Sequence, residues 1–160
     1  MIKKIDVTDI AECVSIIKES FMTVANEFGF TRENAPGFTA FDTTEEKLIT
    51  QLENEHRQMY AYYDGERIVG YYSLAILENG VCELNNLCVL PAYRHKGIGE
   101  QLLNHAFNLA LTSNYKKMCI GIVEENQVLR RWYELMGFTH TSTKKFDFFP
   151  FTCGYMERNL

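Results

Sequence analysis

The chain has 160 residues, and its 46% hydrophobic and 23% charged content excludes a disordered, collagen-like or coiled-coil protein and predicts one domain over residues 1–160. The formal net charge of -5 disfavours a non-specific nucleic-acid binder, which is usually basic. The charge is unevenly divided, because residues 1–91 hold 7 Lys/Arg against 15 Asp/Glu and residues 92–160 hold 9 against 6, which leaves room for an anion site in the second part.

The N-terminal part predicts a short strand and two helices. Residues 2–7 fit the strand, and Thr8 can cap a helix whose apolar positions recur at steps of three and four. Residues 29–43 mix Gly, Asn, Pro and aromatic side chains, which is typical of a structured loop. Thr43 or Thr44 can then cap a second helix.

Three strands follow, joined by tight turns. Asp64-Gly65 and Asn79-Gly80 are hairpin signals, since Asn and Gly tolerate the left-handed backbone that such turns require. The third strand is an apolar run that ends at Pro91.

The remaining elements alternate between helix and strand. Residues 98–112 have the strongest helical period, residues 117–123 fit a short buried strand, and residues 127–136 fit another helix. Two further strands fit near 138–147 and 153–159. The order β-α-α-β-β-β-α-β-α-β-β predicts an α/β fold with a mixed, mostly antiparallel sheet and helices on both faces.

Targeting and metal signals are weak throughout. Acidic residues follow Lys3 and Lys4, which argues against a signal peptide, and no apolar run approaches the roughly 20 residues of a membrane span. We expect a cytoplasmic protein that binds neither membrane nor nucleic acid. The 5 cysteines form no CxxC pair and the 4 histidines are scattered, so we expect neither a disulfide framework nor a metal site.

The loop before the strongest helix carries the clearest chemical signal. Unpaired N–H groups and the positive dipole end of a helix favour anions, and glycines let the backbone approach a phosphate closely. A plain strand–loop–helix joint with solvated charges is the alternative, and spacing alone does not separate the two. The loop reads Arg94-His95-Lys96-Gly97-Ile98-Gly99.

This loop resembles motif A of the GNAT superfamily of acyl-CoA-dependent N-acetyltransferases, whose signature is Q/R-x-x-G-x-G/A. A second segment matches the Asn, Tyr and Gly-Phe spacing that these proteins often carry, at Asn126, Tyr133, Gly137 and Phe138. The order of elements agrees over nearly the whole chain, and motif-level similarity covers about residues 82–138.

The resemblance implies acetyl-CoA as cosubstrate and no metal. Its pyrophosphate would lie on the loop at residues 94–99, and its pantetheine arm would pair with backbone groups of Leu87, Cys88 and Val89. Asn126 would hydrogen-bond the cofactor arm. Asn is also well suited to cap the helix that follows it, and both roles can hold together.

Glu83 and Tyr133 are the candidate catalytic residues by the same resemblance. Glu83 would act as general base for the attacking amine, and Tyr133 as general acid for the leaving thiolate. The competing interpretations are a strand-end carboxylate in solvent or in an ion pair, and a tyrosine ring buried in the core. Other enzymes of this family take the base from different positions or from a water chain.

The expected acceptor is a primary amine on a small molecule or a protein. The acidic N-terminal part and its many phenylalanines favour a cationic acceptor, through charge and cation–π contact. Those phenylalanines are equally expected as core or as a dimer face, and the aromatic C-terminal run is a plausible homodimer contact. The identity of the acceptor does not follow from the sequence.

Taken as an enzyme, the chain would move an acetyl group to the amine by direct attack in a ternary complex. Two alternatives stay open at this point. A non-catalytic acyl-CoA-binding or sensor domain of the same fold would keep the loop and need neither Glu83 nor Tyr133. A structural or interaction module would use the glycine loop only as a joint.

Overall fold

The computed structural model describes residues 1–160 and contains one seven-stranded sheet in the order β1-β2-β3-β4-β5-β7-β6. Every neighbouring pair is antiparallel except β4 and β5, which run parallel. The strands are β1 (Ile2–Lys4), β2 (Gln58–Asp64), β3 (Arg67–Ile76), β4 (Val81–Val89), β5 (Lys117–Val123), β6 (Thr139–Lys145) and β7 (Thr152–Asn159). The predicted α/β fold with a mixed, mostly antiparallel sheet is confirmed.

Five α-helices accompany the sheet, one more than the sequence predicts. The extra helix is a single short turn inside the segment expected to be a loop. No helix combines the length and the apolar character that crossing a membrane requires. The helices are α1 (Ile10–Phe28), α2 (Thr39–Asp42), α3 (Glu45–Glu53), α4 (Ile98–Thr112) and α5 (Gln127–Leu135).

The central strand β3 shows how helices cover both faces of the sheet. Its Tyr72 reaches α4, where the Tyr72 hydroxyl lies 2.6 Å from Nδ1 of His105. Tyr71, the next residue along the strand, points to the opposite face, on the side of Cys13 in α1. Both α1 and α4 pack on β3 and β4, so these two strands form the middle of the core.

The start of the first helix differs from its prediction, and the expectation that Thr8 caps it is wrong. The N-cap residue of α1 is Asp9, which makes no side-chain cap bond to this helix, whereas one turn earlier Asp6 Oδ1 accepts from the backbone N–H of Thr8 at 2.7 Å and Asp9 accepts from the N–H of Asp6 at 3.0 Å. This reciprocal pair caps a short 3₁₀ turn at Val7–Asp9 that leads into α1. At α3 the predicted cap is confirmed, since the Thr44 hydroxyl accepts from the N–H of Lys47.

The parallel pair β4–β5 is joined over only part of its length. Val81–Glu83 pair with Lys117–Cys119, and beyond these residues the two strands have no pairing with each other. A bulge in β4 accompanies the separation, since the register against β3 shifts by one residue next to Asn86, whose φ is 53°. The strands therefore diverge and leave a V-shaped opening in the sheet.

Candidate functional site

The opening between β4 and β5 belongs to a cleft of about 540 Å³. Its walls come from β4, β5, the first turn of α5, helix α1 and the segment that joins β6 to β7. Phenylalanines from α1 and from that joining segment line the outer part, among them Phe21, Phe146 and Phe149.

The phenylalanines also form a second hydrophobic cluster that holds the loop at 29–43 against the segment before β7. The ring of Phe30 lies 5.1 Å from that of Phe38 and 4.8 Å from that of Phe151. Part of the aromatic content of the chain is therefore core, as the competing interpretation expected, and another part lines the cleft.

Glu83 is the only charged residue on the cleft wall. It is half-buried, pairs with Cys119 at the last step before the strands diverge, and takes part in none of the ion pairs of the protein. The acidic balance of residues 1–91 is thus not concentrated at the cleft. An unpaired carboxylate at the point of divergence is available to exchange a proton with a bound molecule.

Tyr133 lies in a different environment from Glu83. It is only 6% exposed, and its ring packs edge-on against Trp132 at 4.9 Å and Phe138 at 5.4 Å. Burial, with the Cys88 thiol nearby, raises the pKa of the phenol above its usual range. The structure does not place Tyr133 on the cleft wall beside Glu83.

The loop before α4 has the geometry of an anion site. The first backbone hydrogen bond of this helix runs from the N–H of Gln101 to the carbonyl of Gly97, so the N–H groups of residues 95–100 have no partner within the protein. His95 and Gly97 both adopt the left-handed region, with φ of 61° and 78°. Successive unpaired N–H groups in such a turn, at the positive end of a helix, form a concave site for phosphate.

Arg94 does not point its side chain outward from this loop. Its guanidinium donates to the carbonyls of Val89 at 3.0 Å and Ser20 at 2.9 Å and to the Thr23 hydroxyl at 3.0 Å. It therefore fastens the loop to β4 and α1. His95 and Lys96, in contrast, are exposed.

We expect Arg94→Ala to destabilise the protein by about 2–4 kcal/mol, because three charge-assisted hydrogen bonds are lost and their acceptors are left without the donor. Lys96→Ala in the same loop is the matched control and should change the stability by less than about 0.5 kcal/mol, as exposed substitutions usually do. Urea unfolding followed by circular dichroism measures both. Equal stability of the two variants would contradict the anchoring role of Arg94.

Asn126 fulfils the structural role expected of it and also lies at the cleft. Its Oδ1 accepts from the backbone N–H of Leu129 at 3.2 Å, which caps α5. The same residue lines the cleft wall, and its amide nitrogen makes no hydrogen bond within the protein.

The edge of β4 that faces the opening is the third element of the site. From Leu84 to Val89 the strand has no partner on the β5 side. Cys88 and Val89 are buried and Leu87 is half-buried, and none of the three lines the cleft, so what they offer is the backbone that β5 leaves unpaired. The Val89 carbonyl already accepts from Arg94, which leaves it one further lone pair.

No group of three or more His, Cys, Asp or Glu side chains is arranged to hold a metal ion. A smaller polar cavity of about 220 Å³ adjoins the cleft and contains Gln51 and Arg57, which no motif in the sequence indicates. These residues are distant in sequence from the motifs, and only the folded chain brings them near Asn85 and Asn86.

The chain is similar to known proteins in sequence and in fold. Residues 21–138 match the acetyltransferase (GNAT) family. The chain is 29% identical over 121 residues to the uncharacterized N-acetyltransferase YjgM of Escherichia coli (strain K12), covering 73% of this chain and 71% of that protein. It is 26% identical over 140 residues to an uncharacterized N-acetyltransferase of Mycobacterium bovis, covering 87% and 88%.

Solved structures show the same fold. The PaiA N-acetyltransferase from Thermoplasma acidophilum, in complex with coenzyme A, superposes with a TM-score of 0.83 at 20% identity and covers 100% of this chain and 98% of that one. The ribosomal-protein-S18-alanine N-acetyltransferase from Escherichia coli superposes with a TM-score of 0.76 at 15% identity, covering 99% and 92%.

Proposed function

The chain belongs to the acetyltransferase (GNAT) family and is an acetyl-CoA-dependent N-acetyltransferase, and we propose that it transfers the acetyl group to a primary amine by direct attack in a ternary complex. The observation that carries this proposal is the opening between β4 and β5, whose wall holds a single charged side chain, the unpaired Glu83. Family membership disfavours the sensor domain and the structural module that the sequence left open.

The residues around the opening fit acetyl-CoA, which supplies the acetyl thioester. The unpaired N–H groups at residues 95–100 would hold the pyrophosphate, with the exposed Lys96 adding positive charge and the exposed His95 a further polar group. The free edge of β4 at Leu87–Val89 would pair with the pantetheine amides, as an added strand pairs with a sheet edge. Asn126 would donate its amide N–H to the same arm.

Glu83 would accept the proton that the amine must lose. An alkyl amine is mostly protonated at neutral pH and has no lone pair for attack until a base removes that proton. Glu83 is the only charged group on the wall, so no neighbouring cation neutralises its carboxylate there. It would act directly or through one water molecule.

Tyr133 would return a proton to the departing thiolate. Its raised pKa keeps the phenol protonated at neutral pH, so the proton is present when the C–S bond breaks. Burial of the ring also fixes the direction of the hydroxyl, because Trp132 and Phe138 hold the ring from two sides.

Direct attack is favoured over an acetyl-cysteine enzyme. A cysteine nucleophile reacts as its thiolate and therefore needs a lowered pKa or an adjacent base. Burial raises the pKa of Cys88 to about 12. Cys153 lines the cleft, but burial and the nearby Glu125 raise its pKa as well, and no histidine lines the cleft beside it.

The acceptor would enter with its amine as a cation. Glu83 attracts an ammonium group, and the faces of Phe21, Phe146 and Phe149 on the cleft wall can add cation–π contact. The positive end of the acceptor would therefore lie at Glu83 before the proton leaves.

Thiol release from acetyl-CoA in the presence of a panel of primary amines tests the proposed function, with mass spectrometry of the products. We expect one or more amines to give an N-acetyl product and stoichiometric free CoA. If the protein binds CoA in calorimetry but no amine in the panel yields acetylated product, the proposal of amine acetylation is wrong.

The loop at residues 94–99 allows a prediction for the affinity of the protein for CoA. Gly97→Ala places a Cβ at a φ of 78°, which costs about 1–2 kcal/mol, and a relaxed loop would turn its N–H groups away. We therefore expect CoA to bind about tenfold more weakly. Gly29→Ala is the control, because Gly29 has a similar φ of 74°, nothing within 4 Å of the added Cβ, and a position at the end of α1, outside the loop. Calorimetry that finds equal weakening in both variants would contradict the special role of Gly97.

A further inference from the structure

The polar cavity beside the cleft, called here the polar pocket, has its own chemistry. Its volume is about 220 Å³, and it shares Gly37, Thr39, Asn85 and Asn86 with the cleft. Leu48 is its single hydrophobic lining residue. The other residues that line it are Asp42, Thr43, Lys47, Gln51 and Arg57.

Arg57 gives the polar pocket a guanidinium group that its ion pair with Glu55 occupies only in part. Lys47 is paired with Asp42 on the same wall, so these two charges cancel. The Nε–H of Arg57 donates to Glu55 at 2.6 Å, whereas its two terminal nitrogens have no partner in the protein. Glu55 is outside the lining of the pocket, so the free edge of the guanidinium is the charged surface that a ligand would meet.

Unpaired amide groups accompany the guanidinium. The Oε1 atom of Gln51 is buried and has no hydrogen-bond partner, which is rare for a buried polar atom and costs stability unless a ligand or water satisfies it. Because an amide can turn over, Gln51 can present either its oxygen or its N–H₂ group. The Asn86 amide makes no hydrogen bond within the protein, and the Asn85 amide makes only a long one of 3.4 Å, to the Glu83 carbonyl.

The position of the pocket sets the length of a molecule that would reach from Glu83 to the side of the pocket that adjoins the cleft. Asn85, which lines both spaces, lies two residues beyond Glu83 on β4, and two residues of strand span about 7 Å. An acceptor with its amine at Glu83 would therefore extend another group into the pocket over about this distance. Two extended amino-acid residues also span about 7 Å.

We propose that the polar pocket binds the carboxylate of the acceptor, which makes the substrate class an amino-carboxylate of about dipeptide length. This inference rests on the proposed function, because it takes the amine to lie at Glu83. The planar fork of Arg57 matches a carboxylate in geometry and charge, and the amides of Gln51 and Asn86 can donate to the same group. A second ammonium group at this end, as in a diamine, would instead face Arg57 and be repelled.

Glycylglycine and glycylglycinamide test the proposal, since they share the amine and differ only in carboxylate against carboxamide. Calorimetry on the CoA-loaded protein gives the ratio of their affinities, and thiol release from acetyl-CoA gives the ratio of kcat/KM. We expect the wild type to favour the carboxylate by about tenfold, which corresponds to one well-formed charged contact. Arg57→Gln should bring both ratios close to one, and Arg57→Lys should recover part of the preference.

Lys4→Gln, an exposed charge removal on the edge strand β1, is the matched control and should keep the wild-type ratio. A ratio on one protein sample does not depend on the fraction that is folded, so partial misfolding of a variant does not obscure the result. The proposal is overturned if the wild type binds the two probes equally, if it binds neither at millimolar concentration, or if Arg57→Gln keeps the preference. If the affinity ratio is as expected but neither probe is acetylated, carboxylate binding in the polar pocket is supported and the acetylation of this class of amine is contradicted.

Discussion

Glu83→Gln is expected to lower kcat by about 10²–10⁴-fold, the range over which a general base contributes, while the affinity for CoA changes by less than about twofold. Glutamine keeps the size and polarity of the side chain but cannot take a proton from the ammonium group. The change should leave the fold intact, since Glu83 makes no ion pair whose loss would destabilise the protein. Steady-state kinetics with the best amine of the panel, together with CoA calorimetry, measures both quantities.

The pH dependence separates a base from a residue that only shapes the cleft. At pH values below the pKa of the free amine, nearly all substrate is protonated, so the loss of the base has its full effect on the rate. As the pH rises toward that pKa, more amine arrives already neutral, so the deficit of Glu83→Gln should shrink. Glu78→Gln, on the exposed turn between β3 and β4, should match the wild type at every pH. A deficit of the same size at all pH values would assign Glu83 to binding and not to proton transfer.

The order of the elements was predictable because the periodic segments are long and their boundaries carry clear signals. Helix α4 and strand β5 have the predicted bounds of 98–112 and 117–123, since sustained period and flanking turns mark them. The short helix α2 has too few residues to show a period. At the first helix, Asp6, Thr8 and Asp9 are all good caps, and only their hydrogen bonds in three dimensions decide among them.

The features of the site, like the elements of the fold, could be predicted from the sequence only in part. The motif at 94–99 points to a phosphate loop, and the structure supplies the unpaired N–H groups that such a loop needs. The sequence could not show that Arg94 turns inward, because the acceptors at Ser20 and Thr23 lie more than 70 residues away along the chain. The polar pocket could not be predicted either, since Arg57 and Asn86 are distant in sequence and line one cavity only in the folded chain.

Tyr133→Phe is expected to reduce kcat by about 10²-fold or more, the lower part of the range for a general acid, without loss of stability. The ring of Tyr133 would be kept by phenylalanine, together with its packing on Trp132 and Phe138. The Tyr133 hydroxyl makes no hydrogen bond within the protein and is not among its fully buried, unsatisfied polar atoms, so its removal neither breaks a hydrogen bond nor relieves an unsatisfied group in the core. Thermal unfolding should therefore give nearly the same Tm as the wild type.

A lower kcat together with an unchanged Tm would show that Tyr133 acts as a general acid. A residue that only packs in the core would not give this combination. Tyr62→Phe, a half-buried residue of β2 outside the cleft, is the matched control and should change neither quantity. Because the raised pKa of Tyr133 keeps its phenol protonated, the proton it donates is present at neutral pH, but the same shift makes the phenol a weaker acid in the free protein. Catalysis by Tyr133 therefore requires the leaving thiolate to lie within hydrogen-bond distance of the phenol, where the departing charge draws the proton. If Tyr133→Phe keeps the wild-type kcat, the ring of Tyr133 serves only to pack the core, and water in the opening supplies the proton.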